Sequence, residues 1–428
     1  MGRSIGSLPQ TLTMFALIDC DNFFVSCERI FQPALKNRPV VVLSNNDGCV
    51  VARSYEAKAL GIGMAVPFFK VERLFSANNG IALSSNYELY ADISKRVMQL
   101  IREEFQNLEI YSIDEAFVRL PDNIDYETLC RSFRNKLLQY IGISVSIGIA
   151  PTKTLCKIAG EYAKKHDKIY FLNQMPQISE LLKKIEVIDI WGVGRHTAPK
   201  LKFMGIFTGE DLRTAPPKML RKAFGIGMEK TIMELNGLPC LEAESEEPQQ
   251  SIISSRTFEY EIKDYNVLKQ IIAEFVDSAC QRLRKQESLA QSIIVSVSTN
   301  RFNHTHEQYY NSALINLESP TNNTAKFLQA MDKGLKQIFR NGIFYKRAGI
   351  TLLHVSNLHT IQPDLLDKEE NRGKEQNLMK AFDAINRKMG RKSIYFGAQA
   401  GGIKHYIRRE FKSASYTTSW SGLAIAHA

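Results

Sequence analysis

Hydrophobic positions along the chain switch between two rhythms, and the order of the switches predicts the fold. A continuous apolar run from Phe15 to Ile18, ending at Asp19, predicts a buried strand, and Phe23, Phe24, Cys27 and Ile30 then recur at helical spacing. Positions 39–43 and 50–52 predict two short strands joined by the turn-forming Asn45-Asn-Asp-Gly48. From 86 to 105 the spacing is helical again, and a strand at 108–111, a tight turn and a strand at 116–118 follow. A helix at about 126–140 and a strand at 143–149 complete a β-α-β-β-α-β order, with 31–83 inserted after the first helix. This is the split βαβ, or ferredoxin-like, plan.

The rhythm changes at 188–240, where short helical stretches surround two glycine turns, Gly192-Val-Gly194 and Gly225-Ile-Gly227. Residues 242–250 are acidic and lack a hydrophobic pattern, which predicts a linker. Beyond it, strands at 252–260, 292–299, 309–317 and 348–355 alternate with helices at 265–285 and 325–339, spelling β-α-β-β-α-β a second time. Residues 1–13 read as a flexible leader, and the tail from 356 is polar, then helical at 376–389, then broken into short strand-like pieces. The expected class is α+β and multidomain.

Composition narrows the partners. With 55 basic and 45 acidic residues, a net charge of +10 and a pI near 9.1, the chain favours polyanions. Its seven cysteines are scattered and never spaced as CxxC, which predicts reduced thiols in the cytoplasm. No apolar run approaches the roughly 18 residues needed to span a bilayer, so no membrane partner is expected.

In the split βαβ plan the first two strands run parallel, with the third antiparallel between them. The end of strand one, Asp19, therefore meets the turn Ser112-Ile-Asp-Glu115, and three carboxylates (Asp19, Asp114 and Glu115) converge. Alone, each is an ordinary helix cap or turn residue. Together they repel unless cations neutralise them, and oxygen-only ligands suit Mg²⁺. Two such ions serve an in-line phosphoryl displacement, such as a primer 3′-hydroxyl attacking a nucleoside triphosphate. Asp21 is expected to cap the following helix and stays outside this set.

At these residues the chain resembles the Y-family translesion DNA polymerases, and within them the UmuC branch. Asp19-Cys-Asp-Asn-Phe-Phe-Val-Ser-Cys-Glu28 and Tyr111-Ser-Ile-Asp-Glu-Ala-Phe117 are similar to the family's two catalytic motifs. Val41-Val-Leu-Ser-Asn-Asn-Asp-Gly-Cys49, Ser84-Ser-Asn-Tyr-Glu-Leu-Tyr-Ala-Asp92 and Trp191-Gly-Val-Gly194 are similar to the UmuC branch in particular.

The resemblance implies a palm at 14–30 and 84–175, small fingers at 31–83, a helix-hairpin-helix thumb at 176–241 and a little finger at 251–356. The tail at 357–428 would carry a clamp-binding peptide at Gln362, Asp364, Leu365 and Leu366. It also implies Asp19, Asp114 and Glu115 as catalytic ligands of two Mg²⁺ ions, with the Cys20 carbonyl as a further oxygen. Tyr55, Lys58 and Lys164 would bind the triphosphate, and Phe24 would act as a steric gate against a ribose 2′-hydroxyl. Many family members carry Arg where Lys58 stands, which replaces a bidentate grip by a point charge. Gly192, Val193, Gly194, Arg195 and Arg256 would contact DNA backbone.

Implied partners are primer-template DNA, deoxynucleoside triphosphates, a processed UmuD-type dimer, RecA and the sliding clamp, in a bacterial cytoplasm beside the nucleoid. The fold begins at the first palm strand, leaving no place for a proofreading exonuclease, and the short insert predicts an open, low-fidelity site used in DNA repair and SOS mutagenesis.

Taken alone, an exposed helical lysine is a solvated charge, a bare GxG is a plain turn, and Arg256 suits a solvated strand edge. Two other functions compete. A catalytically idle DNA-binding scaffold would share the fold, and a nucleotide cyclase would share the split βαβ chemistry but has no use for a DNA grip.

Overall fold

The computed structural model describes residues 13–122, 124–241, 248–303, 305–358, 369–390, 392–399 and 409–420. They fall into two compact units, one running up to Ser245 and resuming at Arg409, the other from Glu246 to Arg408. The expected leader up to residue 12, residues 242–247 of the expected linker, and Gln362, Asp364, Leu365 and Leu366, where a clamp-binding peptide is expected, lie outside the described residues. Among the described residues no helix is long and apolar enough to cross a membrane.

The first unit opens with β1 (Phe15–Cys20) and α1 (Phe23–Phe31). The insert then supplies β2 (Val40–Leu43), β3 (Val50–Arg53), α2 (Tyr55–Ala59), α3 (Phe68–Ala77) and β4 (Ile81–Ser84). The hairpin expected around Asn45–Asp47 is present: β2 pairs antiparallel with β3, while β4, which the apolar pattern did not reveal, pairs parallel with β2. This small sheet has its own core of Val41, Leu43, Val50, Ala57, Ile62 and Phe75.

The chain returns through α4 (Tyr87–Glu104), β5 (Glu109–Ile110), β6 (Glu115–Arg119), α5 (Tyr126–Ile141), β7 (Val145–Ala150), α6 (Lys153–Lys165) and β8 (Ile169–Phe171). The sheet order β5-β6-β1-β7-β8 places β1 centrally, antiparallel to β6 and β7. Its uninterrupted apolar run has a simple cause. Ala16 and Ile18 enter the core under α1, α4 and α5, whereas Leu17 enters the core beneath α6, so both faces are covered.

Next come α7 (Met175–Leu182), α8 (Ala198–Phe203), α9 (Gly209–Thr214), α10 (Pro217–Phe224) and α11 (Ile226–Leu235). The side chain of Thr208 and that of Asp211 form a reciprocal capping box at α9. The buried Glu234 of α11 accepts from the amides of Thr154, Cys240 and Leu241, and the first of these ties this helical module to the start of α6.

The second unit contains β9 (Ile252–Ile262), α12 (Tyr265–Lys285), β10 (Ser288–Ser298), β11 (Tyr310–Thr321), α13 (Thr324–Ile338), β12 (Tyr345–Asn357) and α14 (Glu369–Met389). The expected element order is present, but the sheet is wired differently from the first. Its order is β11-β10-β12-β9, all antiparallel, so the opening strand stands at an edge rather than in the centre. Both sheets contain two interlocked split βαβ units, and only the strand enclosed by each unit differs. The helix α14 is docked on α12 by a two-pronged Arg284–Asp383 ion pair of 2.6 and 2.8 Å and by the buried Met379.

Candidate active site

Asp19 is the register partner of Glu115 across β1 and β6, and the Cys20 amide donates to the Asp114 carbonyl at 2.9 Å. Strand pairing thus brings the three acidic positions to one sheet end, as the topology predicts. Their side chains are not gathered equally. The carboxylate of Asp114 turns to the Ser112 hydroxyl at 2.6 Å, and among the described residues no three acidic, His or Cys groups assemble at metal-binding spacing.

Two amines balance the other carboxylates. Lys164 Nζ lies 2.8 Å from Asp19, and Lys157 Nζ lies 2.9 Å from both oxygens of Glu115. Asp19 is only 6% exposed; burial pushes its carboxyl up to about 7, with Lys164 pulling the other way. Burial opposes the Lys164 charge, but Asp19 and Glu161 outweigh it and raise its pKa.

The helix α6 that carries these amines is fixed with little tolerance. Thr152 caps it by accepting from the Leu155 amide, and its backbone approaches β7 so closely that only glycine fits at position 148. A Cβ there would lie 2.2 Å from the Gly160 nitrogen.

Asp21 does not cap α1, contrary to expectation. The cap position is Asn22, in the left-handed region at φ 48°, without a side-chain bond. Asp21 instead accepts from the hydroxyls of Ser144 and Ser146 at 2.7 Å each and pairs with Lys168 at 3.2 Å, because β7 runs directly alongside.

Tyr55 and Lys58 share a face of α2, as their spacing predicts, with the Lys58 ammonium 4.9 Å from the Tyr55 ring centroid. Lys168 donates to the Tyr55 hydroxyl at 2.7 Å, which brings α2 together with the turn between α6 and β8. Phe24 stacks on Tyr90 with ring centroids 4.4 Å apart and meets Tyr87 edge-on at 6.0 Å.

Neither Lys157 nor Lys168 is evident from the sequence motifs. The spacing of Lys153, Lys157 and Lys164 by four and seven marks one face of α6 and is the signal that could have found Lys157. Trp191 also joins the site, donating to the Tyr111 hydroxyl at 3.1 Å.

The Gly192-Val-Gly194 turn precedes α8, with Gly192 at φ 92°, Val193 buried and Arg195 exposed. The Gly194 carbonyl accepts from Thr197 and Ala198, closing the turn into the helix.

In the second unit, Arg256 stands on the helix-covered side of β9, its guanidinium 5.8 Å from the Phe275 ring centroid. The opposite side of that sheet presents Ser255, Thr257, Ser296, Ser298 and Arg347 around Gly349, and Arg347 donates to Ser255 at 3.1 Å. Gly349 permits this close strand contact, since a Cβ there would lie 2.4 Å from that of Ser255.

Known proteins bear on this geometry. Residues 18–161 match the impB/mucB/samB family, 249–365 match the C-terminal domain of that family, and 376–426 match a domain of unknown function. Protein UmuC of Salmonella typhimurium is 39% identical over 418 residues, covering 96% of this chain and 99% of the relative. DNA polymerase IV of Lactococcus lactis subsp. cremoris is 28% identical over 348 residues, covering 79% and 92%. A solved Y-family DNA polymerase chimera of Dbh and Dpo4 superposes with a TM-score of 0.64 at 21% identity, covering 80% of this chain and 99% of that one.

Proposed function

Because the chain belongs to the impB/mucB/samB family and to the UmuC-type branch of the Y-family DNA polymerases, we propose that it is an error-prone translesion polymerase with its chemistry at Asp19, Asp114 and Glu115. The observation that carries this reading is the pairing of Asp19 with Glu115 at a sheet end where Asp114 also lies.

The donor set suits a divalent cation. It consists of carboxylate oxygens, one of them deeply buried, with ammonium groups already drawn against two of the three. Asp19, Asp114, Glu115 and the Cys20 carbonyl would hold two Mg²⁺ ions, which when bound activate the attacking hydroxyl and stabilise the leaving oxygen. Lys58, Lys164, Lys168 and the Tyr55 hydroxyl are the donors offered to a triphosphate. As a lysine, Lys58 holds phosphate as a point charge, without the two-pronged grip of an arginine. Phe24, held flat against Tyr90, presents a rigid ring to the sugar edge of the nucleotide.

Backbone contact to the primer-template is assigned to Gly192, Val193, Gly194 and Arg195, and to the open sheet face bearing Ser255, Thr257 and Arg347. Small hydroxyl side chains on an open sheet face admit a phosphate backbone of any sequence. Replacing Arg347 with Ala is expected to weaken duplex binding equally on unrelated sequences and to reduce the slope of log affinity against log salt by about one. Anisotropy titrations at several salt concentrations check this, and an unchanged slope removes Arg347 from the interface.

The palm assignment covers 14–30 and 84–175, with fingers at 31–83, a thumb at 176–241 and a little finger at 251–356. A UmuD-type dimer, RecA and the sliding clamp are the proposed partners, the last at Gln362, Asp364, Leu365 and Leu366. Primer extension across an abasic template position, with Mg²⁺ or with chelator and with these partners supplied, tests the function. Extension that requires both template and Mg²⁺ is expected. Tight DNA binding without extension would instead identify an idle scaffold.

A further inference from the structure

We propose that residues 409–416 form a positioning strap that holds the nucleotide-selecting ring Phe24 in place, an inference that rests on the polymerase reading. Far from α1 and α4 in sequence, this segment lies across both. Its backbone extends the free edge of β4: the Phe411 amide donates to the Ser84 hydroxyl at 3.0 Å, the Ser84 amide donates to the Phe411 carbonyl at 3.1 Å, and Lys412 bridges Ser84 in parallel.

The strap then reaches inward. The Asn86 side-chain amide, 1% exposed at the start of α4, donates to the Ser413 hydroxyl at 2.9 Å and to the Ala414 carbonyl at 3.2 Å. The Ser413 hydroxyl in turn donates at 3.0 Å to Oε1 of Glu28, a carboxylate on α1 that is fully buried. Tyr90 of α4 donates to the same oxygen at 2.8 Å, while Oε2 of Glu28 has no hydrogen-bond partner among the described residues. Tyr416 completes the grip by stacking on Phe31, the last residue of α1, at 4.7 Å and 4°.

The chemistry of these contacts explains why they position rather than merely cover. A buried carboxylate with few donors is costly, so each donor it keeps is strongly preferred. Ser413 and Tyr90 converge on one oxygen of Glu28, and Tyr90 is the ring on which Phe24 stacks. Glu28 lies one helical turn after Phe24 on α1. Fixing Glu28 therefore fixes both rings, and a gate that excludes one hydroxyl must be held within about half an ångström.

Steady-state incorporation of matched deoxyribonucleotides and ribonucleotides is the test, on the full chain with its accessory proteins, for wild type, Phe24→Ala, Ser413→Ala, Ser413→Thr and Tyr416→Ala. The ratio of kcat/KM for ribo- over deoxyribonucleotide is expected to rise about tenfold in Ser413→Ala, the scale of one lost hydrogen bond to a charge, and by a smaller factor of roughly threefold or more in Tyr416→Ala, the scale of one lost aromatic stack. Ser413→Thr, which retains the hydroxyl, should restore the wild-type ratio. If Phe24→Ala raises the ratio but the strap variants keep that of wild type, or lose both nucleotides equally, the strap does not position the gate and the proposal falls.

Hydrogen exchange on the same proteins gives a second readout that does not depend on catalysis. Amides of 24–31 and 84–90 are expected to exchange about tenfold faster in Ser413→Ala, and unchanged protection there overturns the strap. A wild type that extends no primer refutes the polymerase reading instead, and the exchange experiment still decides whether the strap holds α1 and α4.

Discussion

Replacing Asp114 with Ala is expected to lower the rate of nucleotide addition by roughly three orders of magnitude, with little change in melting temperature or DNA affinity. The size follows from the several kcal/mol of charge stabilisation that a correctly held divalent ion supplies. Asp114 isolates that effect better than its neighbours do. Its carboxylate contacts the Ser112 hydroxyl and is partly exposed, so its removal opens no core and strands no buried charge. Truncating Asp19 or Glu115 would leave Lys164 or Lys157 without its partner, which confuses chemistry with stability. Single-turnover addition at saturating nucleotide, beside a thermal melt of the same sample, measures both quantities. An Asp114→Ala enzyme within tenfold of wild type would remove this carboxylate from the reaction.

Gly148→Ala should be among the most damaging substitutions available in the first unit, costing roughly 3 kcal/mol or more of stability. The added methyl would lie 2.2 Å from the Gly160 nitrogen, 2.4 Å from the Cys156 carbonyl oxygen and 2.8 Å from the Ala159 carbonyl carbon. All three are backbone atoms of α6, so no side chain can turn aside and the whole helix must retreat from β7. Lys157 and Lys164 would move with it, drawing their amines away from Glu115 and Asp19. Gly227→Ala is the control, because a Cβ there meets nothing within 4 Å. Chemical denaturation should separate the two variants clearly, and equal midpoints would show that α6 yields more readily than the packing indicates.

Much of the site was legible from the chain because strand order carries long-range information. A β-α-β-β-α-β pattern places the end of its first strand beside the turn between its second and third, and Asp19 indeed opposes Glu115. The error over Asp21 shows where such reasoning stops. Its position just before a helix predicted a cap, whereas Ser144, at the entry to β7, and Ser146, within it, more than a hundred residues later, hold its carboxylate. Arg256 makes the same point in the second unit. Period-two alternation says that it faces one side of β9, but only the packed helix α12 shows that this side carries Phe275.

By itself, the sequence determined the succession of strands and helices, the repeated split βαβ plan, the convergence of the acidic positions and the family. Those properties depend on local periodicity and on motifs a few residues long, which a linear chain displays directly. Tertiary structure alone decided which strand lies at the centre of each sheet, that lysines of α6 balance Glu115 and Asp19, and that 409–416 return to Glu28 and Phe31. The physical reason is that these contacts join residues far apart in the chain. Their partners are chosen by register, close backbone approach and the need to satisfy buried polar groups, none of which a local pattern records.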